Sequence, residues 1–136
     1  MSRTSFVSRL RDQVIRPLMH SALAQDEIPD IDVAVVTGTE FTNSLKELWD
    51  QPWTYPDDGH EYVWAYVTYR PTNERSGWRL GRSEDLHDPA ELVNALWRLG
   101  SDFEDWVCET TFAWGEERHA RVPQIRDLPD WLMTGA

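Results

Sequence analysis

Residues 61–70, EYVWAYVTYR, carry the clearest secondary-structure signal in the chain, because aromatic and β-branched residues dominate them. Such side chains pack well on the pleated, half-buried surface of a sheet. Since both faces of this run are largely apolar, it predicts a central strand. A turn is predicted at 73–77, and Trp78 and Leu80 mark a second antiparallel strand that ends near Gly81. The two runs together predict a β-hairpin, which commits the sheet to antiparallel pairing.

Two amphipathic helices are predicted, one before and one after this hairpin. In residues 5–25 apolar side chains recur at steps of four, and Pro17 is expected to kink or briefly break the helix. The sequence Asp-Pro-Ala-Glu at 88–91 is typical of a helix start, with aspartate as the N-cap and proline in the first turn. Apolar positions then continue at helical spacing to Phe103, and Gly100 is expected to weaken or end the helix.

Shorter segments complete the predicted fold. The β-branched run 31–36 predicts a first strand, and 41–49 allow a short helix. Residues 106–114 alternate between apolar and polar, which predicts a half-buried strand, and a turn leads to a returning strand through 120–122. Consecutive strands joined by short turns indicate an α+β fold in a single domain, residues 1–136. We expect an antiparallel sheet of about four to five strands with two or three helices packed on one face.

Negative charge is unevenly distributed along the chain. The 136 residues contain 24 Asp and Glu against 13 Lys and Arg, a net charge of −11 at pH 7. Residues 26–68 hold ten of the acids against Lys46 alone, a local balance of −9. A surface of this sign repels the phosphates of nucleic acids and speeds encounter with basic proteins. The charge therefore predicts a basic protein partner and no nucleic acid; the alternative is that it only keeps the chain in solution.

No motif of a known reaction is present in the sequence. The seven glycines form no phosphate-binding loop, and the four histidines have neither metal-ligand spacing nor an H-E-x-x-H pattern. The acidic turn 57–61 lacks the alternating ligands of a calcium loop. Cys108 falls beside Trp106 on the predicted strand, where a thiol is expected to be buried and inert. We expect no catalytic residues, no metal and no cofactor, and hence a binding protein rather than an enzyme.

The apolar runs are short and the cysteine count is low. None of the runs approaches the roughly 20 residues that cross a bilayer, and the N-terminus lacks the apolar core of a secretory signal. The single cysteine excludes an internal disulfide and fits a reducing compartment. These features predict a cytoplasmic protein with no membrane partner.

Several features recur in a fixed order along residues 5–131. First come an amphipathic helix at 5–25 and an aromatic strand from Tyr62 to Tyr69. A late helix follows, with leucines at 92, 96 and 99. Trp106 then precedes an alternating segment, a turn at Gly115 and an acidic tail at 127–131. In this order they resemble the YezG-like immunity proteins of bacteria. The resemblance implies a small acidic protein that neutralises a cognate toxin, often a nuclease, by tight binding and without catalysis of its own.

The acidic loop before the central strand is the candidate binding surface. It carries prolines and two aromatic residues, which either pack under the loop or face a partner. We expect its acids to pair with Arg and Lys of a toxin, and its aromatic residues to act as anchors inside a charged rim. The partner-binding candidates are Asp50, Trp53, Tyr55, Asp57, Asp58 and Glu61.

Two other functions agree with the same sequence. A regulatory or adaptor protein would use the sheet or the first helix to form a homodimer or a hetero-oligomer. A small-ligand binder would hold its ligand in an aromatic pocket between the sheet and the helices, and a rise in melting temperature with the ligand would reveal it.

Overall fold

Helices before and after a three-stranded antiparallel sheet make up the part of the chain described by a computed structural model, residues 3–37 and 61–133. The strands are β1 (Ile31–Thr37), β2 (Tyr62–Tyr69) and β3 (Glu74–Arg82). The helices are α1 (Arg3–Leu10), α2 (Arg16–His20), α3 (Pro89–Glu109) and α4 (Asp130–Met133). A π-helical turn, Arg11–Ile15, joins α1 to α2, and three short 3₁₀ turns lie at Ile28–Asp30, Asp85–His87 and Ile125–Asp127.

The predicted central strand lies in the centre of the sheet. β2 pairs with both β1 and β3, so the strand order is β1-β2-β3. On its buried side, Val63, Ala65 and Val67 are completely enclosed, because α1 and α3 cover that side. The hairpin turn is shorter than predicted: β3 already begins at Glu74, directly after Asn73, whose φ of 60° closes the turn. Asparagine tolerates this left-handed conformation better than most residues, which suits it to the position.

The N-terminal helical segment continues past Pro17 without a break. Its apolar stripe is buried as the spacing predicts, with Leu10 and Met19 fully enclosed. A proline inside a helix lacks an N–H donor and clashes with the preceding turn. The chain accommodates it with the wider π-helical turn immediately before it, in which the Arg16 N–H bonds to the Arg11 carbonyl. A π-turn therefore takes the place of the expected kink or break.

α3 starts where the sequence predicts and ends later. Its N-cap is Asp88, whose side chain accepts a hydrogen bond from the Ala90 N–H at 3.1 Å. The helix does not end at Gly100 but runs on to Glu109. Gly100 is buried because the segment 120–122 crosses it closely; a Cβ there would lie 3.2 Å from the nearest Val122 methyl carbon. This glycine allows close packing rather than terminating the helix.

The two strands predicted after α3 are absent from the described residues. Residues 106–109 form the last turn of α3, and 110–124 contain turns followed by chain without regular secondary structure. Phe103 and Val107 are both fully buried, so the apolar stripe of the helix continues at a step of four beyond Phe103. The prediction of four to five strands was therefore wrong for this region: the described sheet has three, while the α+β class is confirmed.

Aromatic side chains fill the end of the core between the hairpin and α3. Tyr69, Trp78, Phe103, Trp106 and Phe112 form a chain of ring contacts with centroids 4.3–6.4 Å apart. Edge-to-face and tilted pairs of this kind stabilise a core beyond the area that they bury. The abundance of aromatic residues in the sequence thus has a structural use in this cluster.

Candidate protein-binding surface

Most of the predicted binding loop lies outside the described residues. Asp50, Trp53, Tyr55, Asp57 and Asp58 belong to the range 38–60, as does the predicted helix at 41–49. Glu61 is described: it directly precedes β2, its side chain is half-buried, and its carbonyl accepts a hydrogen bond from the Ser83 N–H at 2.8 Å. The backbone of Glu61 therefore joins the start of β2 to the end of β3.

Glu27, one of the acids counted in the acidic middle of the chain, has a structural role. Its carboxylate accepts two hydrogen bonds from the Arg118 guanidinium, at 2.8 and 2.9 Å, and a third from the Ala24 N–H. Burial opposes ionisation of Glu27, but these donors hold its pKa below the ordinary value. The same contact raises the pKa of Arg118. Glu27 is 9% exposed, so it is not available to a partner.

A second acidic region lies at the end of α3 and in the turn after it. Residues 102–117 contain six Asp and Glu and no Lys or Arg. Asp105 and Glu109 project into solvent from α3, and Glu117 does so from the turn. Neither Asp102, Asp105 nor Glu109 forms an ion pair with a residue in 3–37 or 61–133. Their charges are open to an outside partner.

Two tryptophans of the described residues have most of their surface in water, and one of them, Trp114, lies in this region. Trp97 is 61% exposed and Trp114 is 75% exposed, and the only other large hydrophobic residue so exposed in the described part is Ile125, at 42%. Trp97 lies on α3, three turns before Glu109, which places their Cα atoms about 18 Å apart at 1.5 Å per residue. Exposed tryptophans among charges are typical of protein-binding surfaces.

We call this surface the acidic face and define it by five residues. They lie at the C-terminal end of α3 and in the turn after it, and all are exposed: Asp102, Asp105, Glu109, Trp114 and Glu117. The one cation that projects among them from α3, Arg98, donates to the Leu80 carbonyl of β3 at 3.3 Å. Arg98 forms no ion pair with the acids of the acidic face among the described residues.

The turn that carries Trp114 is held in place from several sides. Thr111 donates to the Glu74 carboxylate through both its N–H, at 3.1 Å, and its hydroxyl, at 2.6 Å. The Gly115 N–H bonds to the Cys108 carbonyl at the end of α3, at 2.9 Å. Ala113 is buried, and its neighbour Trp114 consequently points outward. These contacts fix the backbone of the turn in a conformation that leaves Trp114 exposed.

A shallow groove runs between the end of α3 and this turn. Its volume is about 370 Å³, and it is lined by Glu104, Asp105, Cys108, Gly115, Glu116, Glu117, Arg118 and His119. Cys108 was expected on a buried strand; it lies on α3 instead, half-buried, with its thiol donating to the Asp105 carbonyl at 3.2 Å. The groove is open, and both acids and the cationic Arg118 contribute to its lining.

A second groove, of about 330 Å³, lies between the N-terminal helices and the C-terminal segment. Pro17, Pro123 and Pro129 line it together with Leu18 and Leu128, and no aromatic side chain does. This composition differs from the aromatic pocket that a small-ligand binder was expected to have. The groove also lies beside α2 rather than between sheet and helices.

The acidic face was missed in the sequence for two reasons. When net charge is counted over all residues after 68, the arginines of β3 offset the acids of 102–117, and the high density of these acids is not visible. In addition, the alternating pattern of 106–114 predicted a strand with Trp114 on its buried face, and the chain does not form this strand. A count of charges over residues 102–117 alone shows six Asp and Glu and no Lys or Arg.

Other classes of site find little support in the described residues. Among residues 3–37 and 61–133, no three His, Cys, Asp or Glu side chains cluster as a metal site would require. None of the helices in the same ranges has the length and apolar character to cross a membrane.

Neither a scan against protein-family models nor searches of the curated proteins and the solved structures finds a match for this chain.

Proposed function

We propose that this chain is a cytoplasmic immunity or antitoxin-type protein, which neutralises a basic toxin domain by binding to it and has no catalytic activity. The observation that carries the proposal is the presence of exposed acids on α3 that form no ion pair within the described residues, close to the exposed Trp114. The charge of −11 and the local balance of −9 in residues 26–68 act in the same direction.

Inhibition by such a surface has a direct physical basis if the toxin is a nuclease. A nuclease holds the phosphates of its substrate with Lys and Arg. Carboxylates presented by an acidic protein pair with the same cations, and the bound protein then excludes the substrate from the site. The long-range field of the acidic protein also accelerates the encounter, which favours the inhibitor in competition with nucleic acid.

Co-expression with the product of the adjacent gene tests the proposed function. We expect the two proteins to copurify and the toxicity of that product to be suppressed. The double variant Asp57→Lys with Asp58→Lys reduces protection if the loop before β2 contributes, whereas Asp130→Lys, an exposed acid of α4, leaves it unchanged. A wild-type chain that neither binds the adjacent gene product nor suppresses its toxicity contradicts the proposal.

A further inference from the structure

We infer that the acidic face is the docking surface for a basic, arginine- or lysine-rich segment of the partner protein. This inference rests on the proposed function and deepens it, because it assigns the contact to α3 and the turn after it. For a toxin partner, the sequence indicated the loop before β2 instead.

The charge of the face selects the class of its occupant. Asp105, Glu109 and Glu117 are exposed, and the acids on α3 have no ion pair within the described chain. Nucleic acids and anionic lipid surfaces are repelled by this charge. A second copy docked by two-fold symmetry would bring the same acids against each other. A cationic protein segment remains as the complementary occupant.

Trp114 determines how such a segment would be held. It is 75% exposed, so a large apolar area stays in contact with water until a partner covers it. Arginine stacks on the face of an indole ring while its charge reaches a neighbouring carboxylate. The face therefore fits a segment whose cations flank or alternate with apolar side chains.

The position of the acids in α3 is a second, independent indication. The last turn of the helix contains no basic residue, and Asp105 and Glu109 are separated by four positions. Negative charges at a helix C-terminus oppose the helix dipole, and like charges at this spacing repel each other. These two acids thus weaken the helix that carries them, a cost expected where side chains serve binding rather than the fold.

Binding of a defined cationic helix tests the inference without knowledge of the natural partner. The probe is a fluorescein-labelled synthetic helix with arginines along one face and leucines beside them. The control probe carries glutamate in place of every arginine. Binding to the full chain is measured by fluorescence anisotropy, and the contact is mapped by backbone amide NMR shifts.

Matched variants separate the acidic face from general charge attraction. Trp114→Ala is compared with Ile125→Ala, an exposed apolar residue outside the face. The double variant Asp105→Lys with Glu109→Lys is compared with Glu91→Lys with Asp130→Lys, which makes the same change in net charge at two exposed acids outside the face. A thermal melt of each variant shows that it folds.

The expected result is 1:1 binding of the arginine helix, with the largest NMR shifts at the end of α3 and in the turn through Trp114. Trp114→Ala and the double lysine variant each weaken binding about tenfold or more, while both controls stay within about twofold. The inference is overturned if the arginine helix does not bind, if all variants bind equally, or if the shifts lie elsewhere. Head-to-tail association of the chain with itself through the same face also overturns it.

The inference and the proposed function fail separately. If the arginine helix binds the acidic face but the adjacent gene product is neither bound nor neutralised, the surface stands and the immunity function fails. If the double lysine and Trp114→Ala variants still neutralise that product while Asp57→Lys with Asp58→Lys does not, the function stands and this surface is excluded.

Discussion

Glu27 and Arg118 form the most enclosed ion pair among the described residues. Their side chains are 11% and 14% exposed, and the pair connects the segment after α2 to the chain that follows α3. If either partner is removed, the charge of the other stays buried, and its desolvation is no longer compensated by the ion pair. Residues 91 positions apart in the sequence are thereby fixed to each other.

We predict that Glu27→Gln lowers the free energy of unfolding by about 2 kcal/mol at pH 7, because Arg118 loses a charged, two-point acceptor. Glu116→Gln is the control, since Glu116 meets the same arginine but is 55% exposed, and its loss costs about 0.5 kcal/mol or less. Urea unfolding of the three proteins measures both values. Equal losses for the two variants would contradict the structural role of Glu27.

The same pair gives stability a defined dependence on pH. Contacts with Arg118 hold the pKa of Glu27 below its ordinary value of 4.5, so folding favours the ionised form. The resulting stabilisation is present above that ordinary value and is lost as the pH falls through the pKa of the folded state. We therefore predict that the melting-temperature difference between wild type and Glu27→Gln shrinks as the pH is lowered from 7 to below 4. A constant difference over this range would contradict the ion-pair explanation.

Among the elements, α3 has the largest effect on both the core and the proposed binding surface. One side carries the buried stripe that packs on the sheet, and the other side carries the acidic face. Because a helix separates these sides cleanly, exposed residues of α3 can change with little effect on packing. This separation allows binding and stability to be tested apart.

We predict that Asp105→Lys and Glu109→Lys each raise the free energy of unfolding, by about 0.3–1 kcal/mol, because they remove acids from the C-terminal end of the dipole. Glu91→Lys has the opposite effect, since Glu91 lies in the first turn of α3, where an acid is favourable. Thermal and urea unfolding at low ionic strength measure the changes. Destabilisation of the chain by Asp105→Lys and Glu109→Lys would show that these acids serve the fold rather than binding.

A second prediction for α3 concerns its contact with the segment 120–122. Glycine within a helix costs about 1 kcal/mol relative to alanine, but a Cβ at position 100 meets the side chain of Val122. In a Val122→Ala background we expect Gly100→Ala to stabilise the protein by about 1 kcal/mol, whereas in the wild type the gain is smaller or absent. A double-mutant cycle from urea unfolding measures the coupling. Identical effects in both backgrounds would show that Val122 does not restrict the site.

The sequence predicted elements best where composition and periodicity agreed. β2 is recognisable because aromatic and β-branched residues fill it, and the start of α3 because aspartate and proline occupy their preferred positions. Residues 106–114 were assigned to a strand because their apolar residues also alternate. The local sequence of that segment is compatible with both a helical period and the period of two of a strand. Burial of Phe103 and Val107 in the core favours the helix, so α3 extends through 106–109.

The binding surface was less predictable than the fold, for a reason visible at Glu27 and Trp114. A count of acids does not distinguish a carboxylate enclosed by Arg118 from one in water, and a count of tryptophans does not distinguish core from surface. Only the fold shows that Glu27 is enclosed while Trp114 is 75% exposed. The charge excess did indicate the class of partner that we propose.

At the scale of the whole molecule, a net charge of −11 should affect stability and association in opposite ways. Like charges on a folded chain repel one another, whereas they attract a basic partner from a distance. Salt screens both effects, with a Debye length that falls from about 30 Å at 0.01 M to about 8 Å at 0.15 M ionic strength. We predict that this increase in salt raises the melting temperature of the free chain and slows its association with a basic partner.

Calorimetry on the free chain and stopped-flow association with the fluorescein-labelled arginine helix measure the two responses. The association rate constant should fall about tenfold or more over this salt range, since steering by the charge of the chain is lost. In the double variant Asp105→Lys with Glu109→Lys the association rate should depend less on salt, because two negative charges of the docking surface are replaced by two positive ones. A melting temperature that falls with salt would show that attractive ion pairs, such as Glu27 with Arg118, outweigh the repulsion among the acids.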